Sequence, residues 1–431
     1  MTNPADEKFF EGSFLSDEFI RQLVAVGEVD LLVGIPTLND SKTIKHVVQA
    51  VQVGYAKYFP RERAVLINAD GGSRDGTQEL FESASIDDPR RLLTAQTLRT
   101  VHRISTRYRG APGTAAALRT IIAAADLLRA KACAVVSPDL VSMNPLWVDN
   151  LLRPVYKENF DFVAPLYRRH KFDGLLMSNL IYPLARTAYG RRIREPLAGE
   201  FGFSGRLAGH LLEQGFWRED GTMFSAEMWV TTLAILGDFR VCQSVLGPKV
   251  HGSKGGGQDL VGTIRQAVGA LFRSMVAQES YWLAQTGSEP ISTFGFPYDV
   301  TLEPVRVNRK RMLQMFRTGI SELASILQSI LAEETLGAVQ QIAALPDEDF
   351  RYPDELWVKT VYDFASAYRR SVINRDHIVQ TLTPLYRGRL SSFVMQNHEA
   401  EAEEVDKAVE TLCLEYERLK PYLIDRWNAK K

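Results

Sequence analysis

Cysteine is scarce: the 431 residues hold only Cys133, Cys242 and Cys413, far apart and without CxxC spacing. That argues against a disulfide framework or a cysteine zinc site and points to a reducing compartment, the cytoplasm. Neither sign of charge is in excess. Fifty-one basic residues against 52 acidic ones leave a formal net charge of −1, too little positive charge for a dominant nucleic-acid or anionic-membrane surface. No apolar run approaches the length of about 18 residues that a membrane span needs, and MTNPADEKFF lacks a basic-then-apolar leader pattern, so neither feature is expected. GxGxxG and GxxxxGK[ST] are both missing, which leaves the usual dinucleotide fingerprint and the P-loop without support. Internal repeats and low-complexity segments are absent as well.

What remains is globular composition, 45% hydrophobic and 24% charged, in a chain long enough for two or three domains. From Val29, VDLLVGIPTLND reads as a buried strand emptying into a loop, followed by a helix over about 41–58 with Asp40 or Ser41 as its cap. AVLINADGGSRDGTQELF repeats the pattern of strand, loop and helix, the second helix starting near Asp75. RTVHRI and ACAVVSPDL supply two more strands, with a glycine loop and an alanine-rich helix from about Gly113 between them; DFVAPLY supplies a fifth. Such alternation predicts an open, mainly parallel α/β sheet whose ligands bind beyond the carboxyl ends of the strands. After about Gly257 the alternation fades, and Phe316, Ile320, Leu323, Leu327 and Ile330 recur at helical spacing, as do Val405, Val409, Leu412, Tyr416 and Leu419. The expected division is an extension over 1–28, a catalytic domain over 29–270 and a helical domain over 271–431. The helical stripes must bury against the catalytic half or against a second copy of the chain, as a homodimer.

Five loops carry candidate chemistry. Asp70 followed by two glycines can hold a base or ribose, or can simply organise a turn. Asp139, at the end of VVSPDL, can meet a metal and a diphosphate, or cap the next turn. In REPLAGEFGFSGR, Glu200 is costly to bury unless it binds something, either sugar hydroxyls or a neighbouring arginine. Glu227 opens the apolar helix of SAEMWVTTLAIL, where stabilisation of a helix start is the plain alternative. His251 follows a strand and precedes the glycine-rich GSKGGG, which suits a metal ligand under a closing loop.

In this order the segments resemble the retaining GT-A glycosyltransferases, specifically the glucosyl-3-phosphoglycerate and mannosylglycerate synthases. EPLAGEFGFSGRLA is similar to their Gln-Pro-Leu-Gly/Ala-Gly-Glu segment, SPDLVSMNPLWVDNLLRPV to their Asp-x-Asp-Leu/Ile segment, and FVAPLYRRHKFDG to their Tyr-x-Arg stretch. SAEMW is similar to the segment bearing an acidic catalytic-site residue, and VHGSKGGG falls where the metal-binding histidine stands. The likeness covers about residues 29–270, and the tail more loosely resembles the mannosylglycerate enzymes.

The resemblance implies a GT-A, Rossmann-like fold in which Pro36, Thr37, Asn39 and Asp70 hold the nucleoside of a UDP- or GDP-hexose. It further implies that Asp139 and His251 ligate Mg²⁺ or Mn²⁺, with Asp139 and Arg109 beside the nucleotide diphosphate. Glu200 and Glu227 would contact the donor sugar and the acceptor hydroxyl, and Arg168 or Arg169 an acceptor carboxylate. Three positions depart from the pattern. Ser137 replaces the first acidic residue of the Asp-x-Asp pair, Pro112 stands where a loop lysine is usual, so that a diphosphate or nucleoside contact is either missing or supplied by Arg107 or Arg109, and Leu175 replaces a basic residue of the phosphoglycerate-using relatives. The last favours glycerate or a glycosylated, non-phosphorylated acceptor over a phosphorylated one. The implied reaction is retaining, metal-dependent transfer of glucose or mannose to a small carboxylated acceptor such as D-glycerate. Transfer to 3-phosphoglycerate or to a larger glycan or lipid-linked acceptor is the enzymatic alternative, and nucleotide-sugar binding without turnover is the other.

Overall fold

The computed structural model describes residues 14–84, 101–108, 113–214, 217, 226–252, 259–296, 302, 305 and 307–429. Contacts divide the chain into two units: 1–168, 197–255 and 291–300 form one, and 169–196, 256–290 and 301–431 the other. The expected division at residue 270 is a single cut in sequence; the contact division is not.

The first unit is an eight-stranded mixed sheet. Its strands are β1 (Leu31–Thr37), β2 (Ala64–Asp70), β3 (His102–Arg107), β4 (Ala132–Val135), β5 (Phe162–Arg168), β6 (Phe201–Ser204), β7 (Val241–Pro248) and β8 (Ser292–Phe294), in the order β3-β2-β1-β4-β6-β5-β7-β8. The neighbours pair in parallel except where β6 runs antiparallel between β4 and β5. Strands covered on both faces read as continuous apolar runs, which is why LLVGI, AVLI and ACAV lack alternation. The helices Ile44–Tyr58 and Pro145–Glu158 cover one face with Val47, Val51, Trp147 and Leu151, all buried among Leu31, Val33, Ile35 and Leu66. Each such side chain contributes roughly 1.5–3 kcal/mol by leaving water. On the other face the helix Thr114–Leu127 lies so near β1 that a Cβ at Gly34 would collide with Ile121.

Two expected helix starts shift. The first helix begins at Ile44 because Asp40 turns its carboxylate back to the Leu38 N–H while its carbonyl accepts from Thr43 and Ile44. The second begins at Thr77, whose N–H and hydroxyl Asp75 holds.

The second unit is helical, apart from an isolated bridge between Arg191 and Glu289. Its longest helix, Arg375–Gln396, buries residues all round, as expected of a central helix. The stripes expected from Phe316 to Ile330 and from Val405 to Leu419 are largely buried. A π-turn over Met177–Ile181 leads into the helix Tyr182–Tyr189, whose Arg186 is fully buried against Glu410 at 2.6 Å and Glu417 at 2.8 Å. This triad joins residue 186 to the last sixty residues of the chain. Arg186→Met leaves two carboxylates without their cation and should cost roughly 3 kcal/mol, read as a lower urea midpoint for loss of helical ellipticity. Among the described residues no helix is long and apolar enough to cross a membrane.

Candidate functional site

The carboxyl ends of β1, β2, β4, β5 and β7 open on one edge of the first unit's sheet, where the antiparallel β6 begins instead of ending. Register places Phe201 opposite Val135, so Glu200 stands beside the residues that follow β4. A short antiparallel strand thus delivers a carboxylate to the end where parallel strands deliver loops.

At the first two strand ends, the Thr37 hydroxyl, with one proton to give, lies 2.7 Å from Asn68 Oδ1 and 2.9 Å from Asp70 Oδ1. Asp70 also accepts from the Ser73 hydroxyl at 2.5 Å and, on Oδ2, from the Gly72 and Ser73 N–H groups at 2.7 and 2.8 Å. These contacts surround both carboxylate oxygens, and the residue is buried. Asp70 therefore shapes the 70–73 loop, and a ligand at this end meets the loop backbone. Asn39, in the left-handed region at φ 59°, ties that loop to the end of β1 through its N–H to Ser73 Oγ and its Oδ1 from the Arg74 N–H. Pro36 pairs in register with Ala69. The guanidinium of Arg107 lies against Gly72; Arg109 and Pro112 lie outside the described residues.

Asp139 and His251 come together. Segments 139–142 and 250–252 run antiparallel, with Val141 N–H on the Val250 carbonyl at 3.0 Å and Gly252 N–H on the Asp139 carbonyl at 2.7 Å. His251 Nδ1 lies 3.1 Å from Asp139 Oδ1, and the two side chains are 48% and 17% exposed, open to a ligand. An octahedral ion with bonds of about 2.0–2.1 Å sets adjacent donor atoms about 3 Å apart, so this pair fits two neighbouring positions of such a shell. Among the described residues no group of three or more His, Cys, Asp and Glu could hold a metal.

Deeper in the same edge is an ionic cluster. Glu200, with no exposed surface, accepts from the hydroxyls of Ser137 and Tyr167 and from the Lys249 ammonium at 2.7 Å. Burial pushes its pKa up, but the lysine's charge and the three hydrogen bonds outweigh burial and hold it below the usual carboxylate range. A Cβ at Gly199 would stand 2.8 Å from Ser137 Oγ, which explains a glycine before the glutamate. Glu227 opens the helix Ala226–Leu236. The residue keeps some surface open, yet its Oε2 is enclosed and has no hydrogen-bond partner among the described residues. Burial first, and the negative Glu200 second, push its pKa up to about 7 against the pull of its own backbone N–H and Lys249. One carboxylate is thus ionised and the other exchanges a proton near neutrality, the division of labour expected of acid–base chemistry.

The arginines separate. Arg168 is exposed at the end of β5. Arg169 belongs to the second unit, where Glu195 takes its Nε and Nη2 at 2.9 and 3.2 Å and Asp173 its Nη1 at 3.2 Å. Its guanidinium is committed to these two carboxylates. Lys249 was not singled out from sequence, where its signal was its place two residues before His251; Tyr167 entered only as the tyrosine of the Tyr-x-Arg stretch, with no role assigned.

No family model matches the chain, and no curated protein matches it. Solved structures do. The chain is similar to glucosyl-3-phosphoglycerate synthase from Mycobacterium tuberculosis in complex with Mg²⁺ and UDP, at 20% identity over 60% of this chain and 83% of that one, with a TM-score of 0.39. It is likewise similar to the same synthase with Mn²⁺, UDP-glucose and phosphoglyceric acid, at 19% identity over 65% of this chain and 92% of that one, also with a TM-score of 0.39.

Proposed function

We propose that the chain is a retaining, metal-dependent hexosyltransferase that moves glucose or mannose from a nucleotide diphosphate sugar to a small carboxylated acceptor such as D-glycerate. The observation that carries this reading is the 3.1 Å pairing of Asp139 with His251 beside the buried Glu200 cluster, at the end of the sheet where open α/β folds bind ligands. Asp139 and His251 would hold Mg²⁺ or Mn²⁺ along with diphosphate oxygens and water; when bound, the ion supplies positive charge to the departing diphosphate.

The chain's own residues do the rest. The 70–73 loop and the end of β1 seat the nucleoside, and Glu200 fixes Ser137, Tyr167 and Lys249 around the reacting edge. Glu227, exchanging a proton near pH 7, orients the acceptor hydroxyl. In the reaction that the sequence resemblance implies, the anomeric carbon–phosphate oxygen bond breaks as the acceptor oxygen bonds to the same face, and the hydroxyl proton passes to the leaving phosphate. No carboxylate nucleophile is then needed, in contrast to retaining hydrolases.

A panel of UDP-, GDP- and ADP-hexoses against glycerate, 3-phosphoglycerate and glucosylglycerate, with and without Mg²⁺ or Mn²⁺, tests the reading. Acceptor-dependent release of the nucleoside diphosphate with a retained anomer is expected. No such release with any acceptor, or an inverted product, contradicts it. Asp139→Ala and His251→Ala should each lower metal-dependent turnover by about 100-fold or more, since metal affinity is lost with either ligand.

A further inference from the structure

Glu200 is the most enclosed member of its cluster, with no exposed surface, whereas the Lys249 side chain is 12% exposed and Ser137 is half-buried. We propose that Lys249 is the residue of this site that binds an anionic oxygen of the nucleoside diphosphate, with Glu200 as its buried positioning partner; the inference rests on the reading of the site as a nucleotide-sugar site.

The chain path supports this. Lys249 lies two residues before His251, which is bridged to Leu140, and Ser137 lies two residues before Asp139. Glu200 joins the two, accepting from the Ser137 hydroxyl and from the Lys249 ammonium, while Asp139 and His251 pair with each other. A cation therefore stands two residues along the chain from one member of the metal-ligand pair and, through Glu200, is tied to a residue two positions from the other.

An ammonium has three N–H donors. One goes to Glu200 at 2.7 Å, and the charge also rests against the Tyr167 ring, 4.8 Å from its centroid. Among the described residues no other hydrogen bond holds it, so donor capacity remains for a ligand. A flexible lysine stem presents a poorly fixed charge; pairing with an immobile carboxylate and an aromatic face fixes it before the ligand arrives, which lowers the ordering cost of binding. A phosphate oxygen is the ligand chemistry that takes both a divalent ion and an ammonium at neighbouring positions.

The test compares the affinities of UDP with uridine, GDP with guanosine and ADP with adenosine, in Mn²⁺, by calorimetry. In Lys249→Met the preference for the diphosphate over the nucleoside should fall roughly tenfold or more, the size of a charge-assisted hydrogen bond, with nucleoside affinity unchanged; Lys249→Arg should keep most of the preference. Should Lys249→Met fail to fold because Glu200 is left unpaired, the Glu200→Gln/Lys249→Met double variant removes both charges and carries the same expectation. Undiminished preference in either methionine variant overturns the assignment while leaving the transferase reading intact. A wild-type chain that binds none of the three diphosphates overturns both.

Discussion

Ser137→Asp is expected to destabilise the protein by roughly 2–4 kcal/mol at pH 8, the cost of a buried charge without adequate compensation. Ser137 donates its hydroxyl to Glu200; an aspartate there offers an acceptor where a donor is needed and sets a second negative charge against a carboxylate with no exposed surface. Among the described residues Lys249 is the one cation paired with Glu200. Protonation of one carboxylate relieves the conflict, so the deficit should shrink as pH falls toward 5, and Glu200→Gln should rescue most of it. Urea unfolding of the wild-type chain, Ser137→Asp and Ser137→Asp/Glu200→Gln at pH 5 and 8 provides the check. An equally stable Ser137→Asp would remove Glu200 as the reason for serine. The departure from Asp-x-Asp is then part of the site's charge balance: Asp139 faces the proposed metal position, and Glu200 is already paired.

Glu227→Gln has the opposite sign. The Glu227 carboxyl titrates at about 7 in the folded chain against 4.5 for an ordinary glutamate, so between these values the folded state binds more protons than the unfolded one. The contribution of this group to stability is complete below pH 4.5 and is lost as pH rises through 7, a loss of roughly 3 kcal/mol by pH 8 to 9. Glutamine does not ionise. The variant should therefore be more stable than wild type by up to that amount at pH 8.5 and about equal to it at pH 4.5, measured as a difference in urea midpoints. Turnover should fall roughly 100-fold or more if the carboxyl orients the acceptor hydroxyl for attack. A stability difference independent of pH would mean that Glu227 is ionised and held by other contacts.

Strands β1, β2, β4 and β5 were legible because each is an apolar run that ends on a loop. β6 was not: FGFS is four residues long, half of them without hydrophobic bulk, and only its pairing with β4 and β5 makes it a strand. The same strand explains why Glu200, read as a residue that meets the donor sugar, is enclosed. Asp139 and His251 were legible as strand-end residues of the right type, although their meeting spans 112 positions. Lys249 was not, since its partner lies 49 residues away and a lysine near a glycine loop has no distinguishing pattern. Nor was the pairing of Arg169 with Glu195, 26 residues on, legible from sequence. Residue type and strand-end position survive a reading of the sequence; which charge neutralises which does not, because pairing is set by register across the sheet.

The central claim is that Asp139 and His251 form the protein's share of a divalent-metal site serving a nucleoside diphosphate. Mn²⁺ titrated into the chain with UDP, GDP or ADP, followed by the electron paramagnetic resonance signal of the free ion, tests this most directly. Wild type should remove the free signal with at least one of the three nucleotides, and His251→Ala and Asp139→Ala should leave it at the level of nucleotide alone. Equal Mn²⁺ uptake by wild type and both variants would contradict the account.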